Sequence, residues 1–352
     1  MKTLLKRQNK IAWTAQAALV ALAVSAGTAA LVAADETTKY TNTDFVMDTV
    51  VDETLYTTGE DICSQVVEKI REIEENILSW TMDTTEVSRL NAADGAATEV
   101  SDELAGYLAK AKQLSEDSNG AFDPTLGKII RLWDIEGENP HVPEQSELDE
   151  LLAEVGADKI ELDGNMVTLK DGCTLELGAV GKGIGCDAAA AYLEDKSEIC
   201  GMLVNLGGSS VLTYGSKPDG TDWKVALTDP RDTEGDYLGI VSLTGNKFLS
   251  TSGDYEKYFM EDGKRYHHIL DPKTGYPVWN GLTSVTVICD DGFLTDGLST
   301  ACFVLGIDQS KELLEKYDAE AIFVTEDKEV YVTDGIRDQF ELTKDGYTRM
   351  EE

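Results

Sequence analysis

Basic side chains are scarce in this chain: 30 Lys and Arg stand against 66 Asp and Glu, a formal net charge of −36 over 352 residues. Such a surface repels a phosphate backbone and argues against a role in nucleic-acid binding. Histidine is scarcer still. His141 lies far from the pair His267-His268, so a multi-histidine zinc centre is not indicated. The six cysteines (Cys63, Cys173, Cys186, Cys200, Cys289 and Cys302) include no CxxC pair, which removes zinc ribbons and thioredoxin-type motifs. No G-x-S-x-G elbow occurs, so that design of serine hydrolase is absent. Internal repeats and low-complexity segments are missing after residue 34.

What is there begins with a targeting segment. Lys2, Lys6, Arg7 and Lys10 form a basic head, and residues 11–34 form an uncharged run rich in Ala, Val and Leu. Small residues Ala33-Ala34 precede Asp35, the layout of a secretory signal. The run also approaches the ~20 residues that span a bilayer. Residues 1–34 are therefore either a cleaved signal peptide or an N-terminal membrane anchor. In both cases the basic end stays inside and the remainder is exported. Residues 35–44 are polar and read as a tether. Export permits disulfides. Buried free thiols are an equal reading, because a core this large needs no covalent staples.

Residues 45–345 read as one domain. Phe45 to Tyr56 is rich in β-formers and reads as strand. Val66, Val67, Ile70, Ile73 and Ile77 recur at helical spacing over 62–78. Ser101 caps a second helix carrying Leu104, Leu108, Ala111 and Leu114. Ile160–Leu162 and Met166–Leu169 form a hairpin signal. The glycine-rich stretch Gly178 to Gly185 reads as a tight turn before a helix at Asp187–Leu193. Ala321–Val324 and Val330–Val332 make a closing hairpin. Helices and strands mix without regular βαβ alternation. The fold class is therefore α+β, with a mixed, largely antiparallel sheet core and packed helices.

Candidate chemistry gathers between Leu249 and Gly306. A helix starting at Asp296 places Thr300 one turn on, with both oxygens on one face. Such a pair suits a hard cation completed by backbone carbonyls and water, and equally suits an ordinary helix cap. His268 ends a short β-run, and its usual pKa suits proton transfer near neutrality. Gly178 to Gly185 includes Lys182 but is no Walker A loop, because Gly183 follows the lysine.

Eight segments, in order, resemble the ApbE family of FAD:protein FMN transferases. They are Ser88-Arg-Leu-Asn91, Gly120-Ala-Phe-Asp-Pro-Thr-Leu-Gly127, Glu176-Leu-Gly-Ala-Val-Gly-Lys-Gly183 and Asn205-Leu-Gly-Gly208. Ser216-Lys-Pro-Asp-Gly220 with Trp223, Thr251-Ser-Gly-Asp-Tyr255, His268-Ile-Leu-Asp-Pro272 and Thr295-Asp-Gly-Leu-Ser-Thr300 follow. The resemblance implies Mg²⁺-dependent transfer of FMN from FAD, as substrate, to a Thr or Ser hydroxyl of another protein, with release of AMP. The targets it implies are FMN-binding domains of exported or membrane redox proteins of the Rnf or Nqr kind. By the family pattern Ala179 (through its carbonyl), Asp296 and Thr300 hold the metal. Met47, Ala121, Phe122, Asp123, Glu176 and Lys182 contact the flavin substrate. His268 also contacts it, and with Asp296 serves catalysis. Two departures stand out. Many relatives have a tyrosine near Thr81, whose stacking role falls here to Trp80 or Met82, and Ser299 stands where some add a carboxylate. FAD hydrolysis with water as acceptor, and non-catalytic FAD carriage, are the alternatives.

Overall fold

A computed structural model of the chain describes residues 36–232 and 235–351. The chain divides into a unit Met1–Thr38 and a unit Lys39–Glu352. The signal or anchor read in residues 1–34 lies outside the described residues.

In chain order, the first elements are β1 (Thr38–Val46), β2 (Thr49–Thr57), α1 (Cys63–Ile73) and a π-helical turn (Glu74–Leu78). Then come α2 (Glu86–Asn91), β3 (Thr98–Glu99), α3 (Asp102–Asp117), α4 (Gly127–Trp133) and α5 (Gln145–Leu152). β4 (Ile160–Asp163), β5 (Met166–Leu169) and α6 (Gly178–Leu193) lead to β6 (Ile199–Leu206) and β7 (Ser210–Gly215). β8 (Trp223–Thr228), β9 (Tyr237–Leu243), β10 (Lys247–Gly253), β11 (Tyr258–Glu261) and β12 (Lys264–His267) follow. The chain closes with β13 (Leu282–Cys289), α7 (Gly292–Leu305), α8 (Ile307–Lys316), β14 (Glu320–Thr325), β15 (Glu329–Val332), β16 (Phe340–Leu342) and β17 (Thr348–Arg349).

The largest sheet has nine strands in the order β1-β2-β6-β7-β10-β13-β14-β15-β17. Neighbours from β2 to β15 pair antiparallel, and β17 joins β15 in parallel. The mixed, mostly antiparallel α+β class expected from the sequence is what forms. One sheet face packs on helices: Val285 and Val287 of β13 join Phe293, Leu298 and Phe303 of α7 in one apolar cluster. Val211, Leu249, Ile288 and Ile322 join Trp223, Val225, Val241 and Phe340 of the β16-β9-β8 sheet in another. β13 is consequently buried along its whole length.

Four local expectations change. The tether at 35–44 is largely strand, because β1 begins at Thr38 and pairs along the edge of β2. The single strand read over 45–56 is broken at Met47-Asp48, both at φ 53, which form a two-residue hairpin turn. The glycine-rich stretch is helical: α6 starts at Gly178 and runs through it. Gly183 serves close packing, since a Cβ there would lie 2.0 Å from the Gly292 carbonyl oxygen. Finally, α7 starts at Gly292, not at Asp296. Asp291 is its cap, accepting from the Leu294 amide at 2.9 Å, so Asp296 lies inside the helix.

Candidate active site

The backbone contact between α6 and α7 builds the site. Because Gly183 has no side chain, α7 approaches until the Gly183 N–H donates to Asp296 Oδ2 at 2.8 Å. The other carboxylate oxygen, Oδ1, accepts from the Ser210 hydroxyl of β7 at 3.1 Å. Thr300 lies one turn further on the same face, as i,i+4 spacing requires. Its hydroxyl is 3.3 Å from Ser252 Oγ at the end of β10, and Ser252 Oγ is 2.8 Å from Ser299 Oγ. Burial raises the Asp296 carboxyl above its ordinary value, and the Gly183 amide, Lys182, Ser210 and Ser250 oppose that shift.

These groups open on a cavity of about 880 Å³. All ten residues singled out from the sequence line it: Met47, Ala121, Phe122, Asp123, Glu176, Ala179, Lys182, His268, Asp296 and Thr300. Lys182 Nζ donates to Ser209 Oγ at 2.6 Å. Glu176 Oε1 accepts from the Gly178 amide at 2.6 Å, and burial pushes its carboxyl up to about 7. Met47 donates its amide to Glu74 Oε2 at 2.9 Å, which joins the β1–β2 turn to the π-helical turn. Asp123 is occupied locally, accepting from the Thr125 amide at 2.9 Å and the Ala157 amide at 3.1 Å. Phe122 is mostly core, only 2% exposed.

The two adjacent histidines separate in role. His267 Nε2 meets the Val278 carbonyl at 2.7 Å, and its Nδ1 accepts from the Ile269 amide at 3.3 Å, so both ring nitrogens serve the fold. His268 faces the cavity, and its Nδ1 is buried without a protein partner. Burial, with the charge of Lys257 and the neighbouring His267, pushes its pKa down to about 3. Titration near neutrality, expected from sequence, is thus displaced: the ring is a neutral hydrogen-bond acceptor across the physiological range.

The ApbE family profile matches residues 47–323. The chain belongs to the ApbE family. Among curated relatives, the FAD:protein FMN transferase of Haemophilus influenzae is 33% identical over 80% of this chain and 83% of that protein. The FAD:protein FMN transferase of Treponema pallidum is 34% identical over 76% and 78%. Among solved structures, the ApbE protein of Thermotoga maritima superposes with a TM-score of 0.79 at 31% identity, covering 86% of this chain and 99% of that one. The apo flavinyl transferase ApbE of Pseudomonas stutzeri gives 0.76 at 28% identity, covering 86% and 97%.

Some walls of this ApbE-family cavity were not singled out from sequence. Ser252 and Ser209 touch the key side chains, yet isolated serines in strands and turns carry no periodic signal. Glu256 also lines the cavity, and burial raises its carboxyl. Nine acidic side chains line the walls (Asp48, Glu74, Asp83, Asp123, Asp134, Glu136, Glu176, Glu256 and Asp296) against the basic Arg131, Lys182 and Lys257. A phosphate-bearing ligand placed among them requires a counter-cation. The donor set fits a hard one: the Asp296 carboxylate, Thr300 hydroxyl and Ala179 carbonyl are all oxygen. Among the described residues Asp296 has hydrogen-bond donors and forms no salt bridge, although the charge of Lys182 acts on it. The Gly183 amide is the one an α-helix would aim at the Ala179 carbonyl. A carbonyl oxygen has two lone pairs, so Ala179 keeps one for a cation even with a helical partner.

Proposed function

We propose that this chain transfers FMN from FAD to a Thr or Ser hydroxyl of a target flavoprotein, releasing AMP. The observation that carries this reading is the meeting of α6 and α7 at Gly183, which sets Asp296, Thr300 and the Ala179 carbonyl in one cavity with Lys182 and His268. Relatives named FAD:protein FMN transferase, matched over most of their length, support it.

Asp296, Thr300 and the Ala179 carbonyl would hold Mg²⁺, which when bound neutralises charge on the diphosphate. Lys182 supplies a second positive charge toward the phosphates. Met47, Ala121, Phe122, Asp123 and Glu176 wall the flavin or adenosine portion. His268, neutral and with a vacant Nδ1, accepts a hydrogen bond from the incoming hydroxyl and orients it. The hydroxyl oxygen bonds to the FMN phosphorus, the P–O bond to AMP breaks with its electron pair on AMP, and the hydroxyl proton ends on the departing AMP or in solvent while His268 orients the hydroxyl. The targets are FMN-binding domains of exported or membrane redox proteins, of which Rnf- and Nqr-type carriers are the first to test. The basic head and apolar run of residues 1–34 support an extracytoplasmic location, reached through a signal peptide or anchor. Among the described residues no helix is long and apolar enough to cross a membrane.

Incubation with FAD, Mg²⁺ and a purified FMN-binding domain tests the reading. Expected is a mass gain of one FMN on the target and stoichiometric AMP. AMP with free FMN and an unlabelled target would mean hydrolysis, and intact FAD would mean carriage only.

A further inference from the structure

We propose that Ser210 and Ser250 are positioning residues that hold the Asp296 carboxylate in the orientation it presents to the cavity. The inference rests on Asp296 being the metal-binding carboxylate of the preceding section. Ser210 of β7 and Ser250 of β10 lie directly opposite each other in the sheet register. They are 1% and 2% exposed, flanked along their strands by Val211, Leu212, Phe248 and Leu249 of the core. A buried hydroxyl in an apolar sheet must find a partner or cost stability. Here the donors run in one direction. Ser250 Oγ donates to Ser210 Oγ at 3.3 Å, and Ser210 Oγ donates to Asp296 Oδ1 at 3.1 Å.

The carboxylate is therefore gripped from two elements, by the sheet at Oδ1 and by the Gly183 amide of α6 at Oδ2. Two donors on opposite oxygens fix the carboxylate plane as well as its position. The lone pairs left over have a defined direction, which is what a cation with strict octahedral demands requires. Neither serine lines the cavity. Their influence on a bound cation must pass through Asp296, on whose carboxylate both serines act.

The test is Mn²⁺ binding to the full chain without FAD, read by electron paramagnetic resonance, beside circular dichroism and thermal melting. Ser210→Ala should weaken Mn²⁺ about tenfold, in the range typical of lost outer partners of a metal ligand. Ser210→Thr, which keeps the hydroxyl, should restore most of the affinity. Ser250→Ala should have a smaller effect, and the double variant should lose less than the sum of the two single losses, since the two hydroxyls share one chain to Asp296. Wild-type affinity in a folded Ser210→Ala, with binding lost in Asp296→Asn, would overturn the positioning role and leave the metal assignment standing. Undiminished Mn²⁺ binding in Asp296→Asn would instead remove the metal assignment itself. Should Ser210→Ala not fold, Ser250→Ala and Ser210→Thr carry the same comparison, and unchanged Mn²⁺ affinity in Ser250→Ala would then count against the relay.

Discussion

Asp296 concentrates the chemistry in a single carboxylate held by neutral donors, with no salt bridge of its own. Asp296→Ala should cut metal-dependent flavin transfer by about a hundredfold or more, and should also lower the melting temperature, because the buried Ser210 hydroxyl and the Gly183 amide lose their acceptor. Single-turnover assays over a Mg²⁺ titration would check this, and undiminished turnover would remove the proposed metal site. Glu176 gives a pH signature. Its folded pKa of about 7 lies above the ordinary 4.5. The group therefore takes up a proton on folding between these values, and stability falls as pH rises through that window. Above about 7 it is charged and repels phosphate. FAD affinity measured by fluorescence quenching should weaken as pH rises through 7, and Glu176→Gln should flatten the curve. His268, with its pKa near 3, should add no ionisation around 6.5 to the rate profile.

At the scale of elements, the α6–α7 crossing is the decisive contact. Gly183→Ala would drive a methyl group to 2.0 Å from the Gly292 carbonyl oxygen and 2.9 Å from Asp296 Cβ. Overpacking of this kind costs about 1–3 kcal/mol or more, and here it also pushes the carboxylate away from its amide donor. Gly181, two residues earlier in α6, has open space where a Cβ would go. Gly181→Ala should therefore raise stability by up to ~1 kcal/mol through helix propensity. Thermal melts of the pair give opposite signs if the crossing is as described. This contrast also marks what could be read from sequence. The i,i+4 spacing of Asp296 and Thr300 was legible because helical periodicity is local. The helical state of Gly178 to Gly185 was not, because glycine propensity favours a turn and only packing against α7, some 110 residues later, overrides it. The Met47-Asp48 turn was hidden for a related reason: aspartate tolerates positive φ, but methionine seldom adopts it, so the pair carries no turn signal. Partners brought together by strand order, such as Ser210 and Ser250, have no sequence spacing to reveal them.

For the whole molecule, the net charge of −36 acts on a substrate that is itself an anion. Repulsion should slow encounter with FAD at low salt and ease as ions screen it. The KM for FAD should therefore fall when ionic strength rises from about 10 mM to about 150 mM, where the Debye length shrinks to ~8 Å. A KM that climbs steadily with salt would mean that local positive charge, from Lys182 and Arg131, governs capture. A chain lacking residues 1–34 loses four basic residues and no acidic one, so its charge falls from −36 to −40 and the same dependence should be slightly steeper.

The five-residue π-helical turn that ends α1 acts as a spacer in rotation. Ser79 reaches back to the Glu74 carbonyl at 3.1 Å, one residue further than an α-helix would allow. Excising one residue there would restore ordinary winding, yet everything downstream would swing by about 100° around the axis. Leu78 would leave its pocket in the core, and Trp80 and Thr81 would turn off the cavity wall. The angular setting of that wall thus depends on one surplus residue.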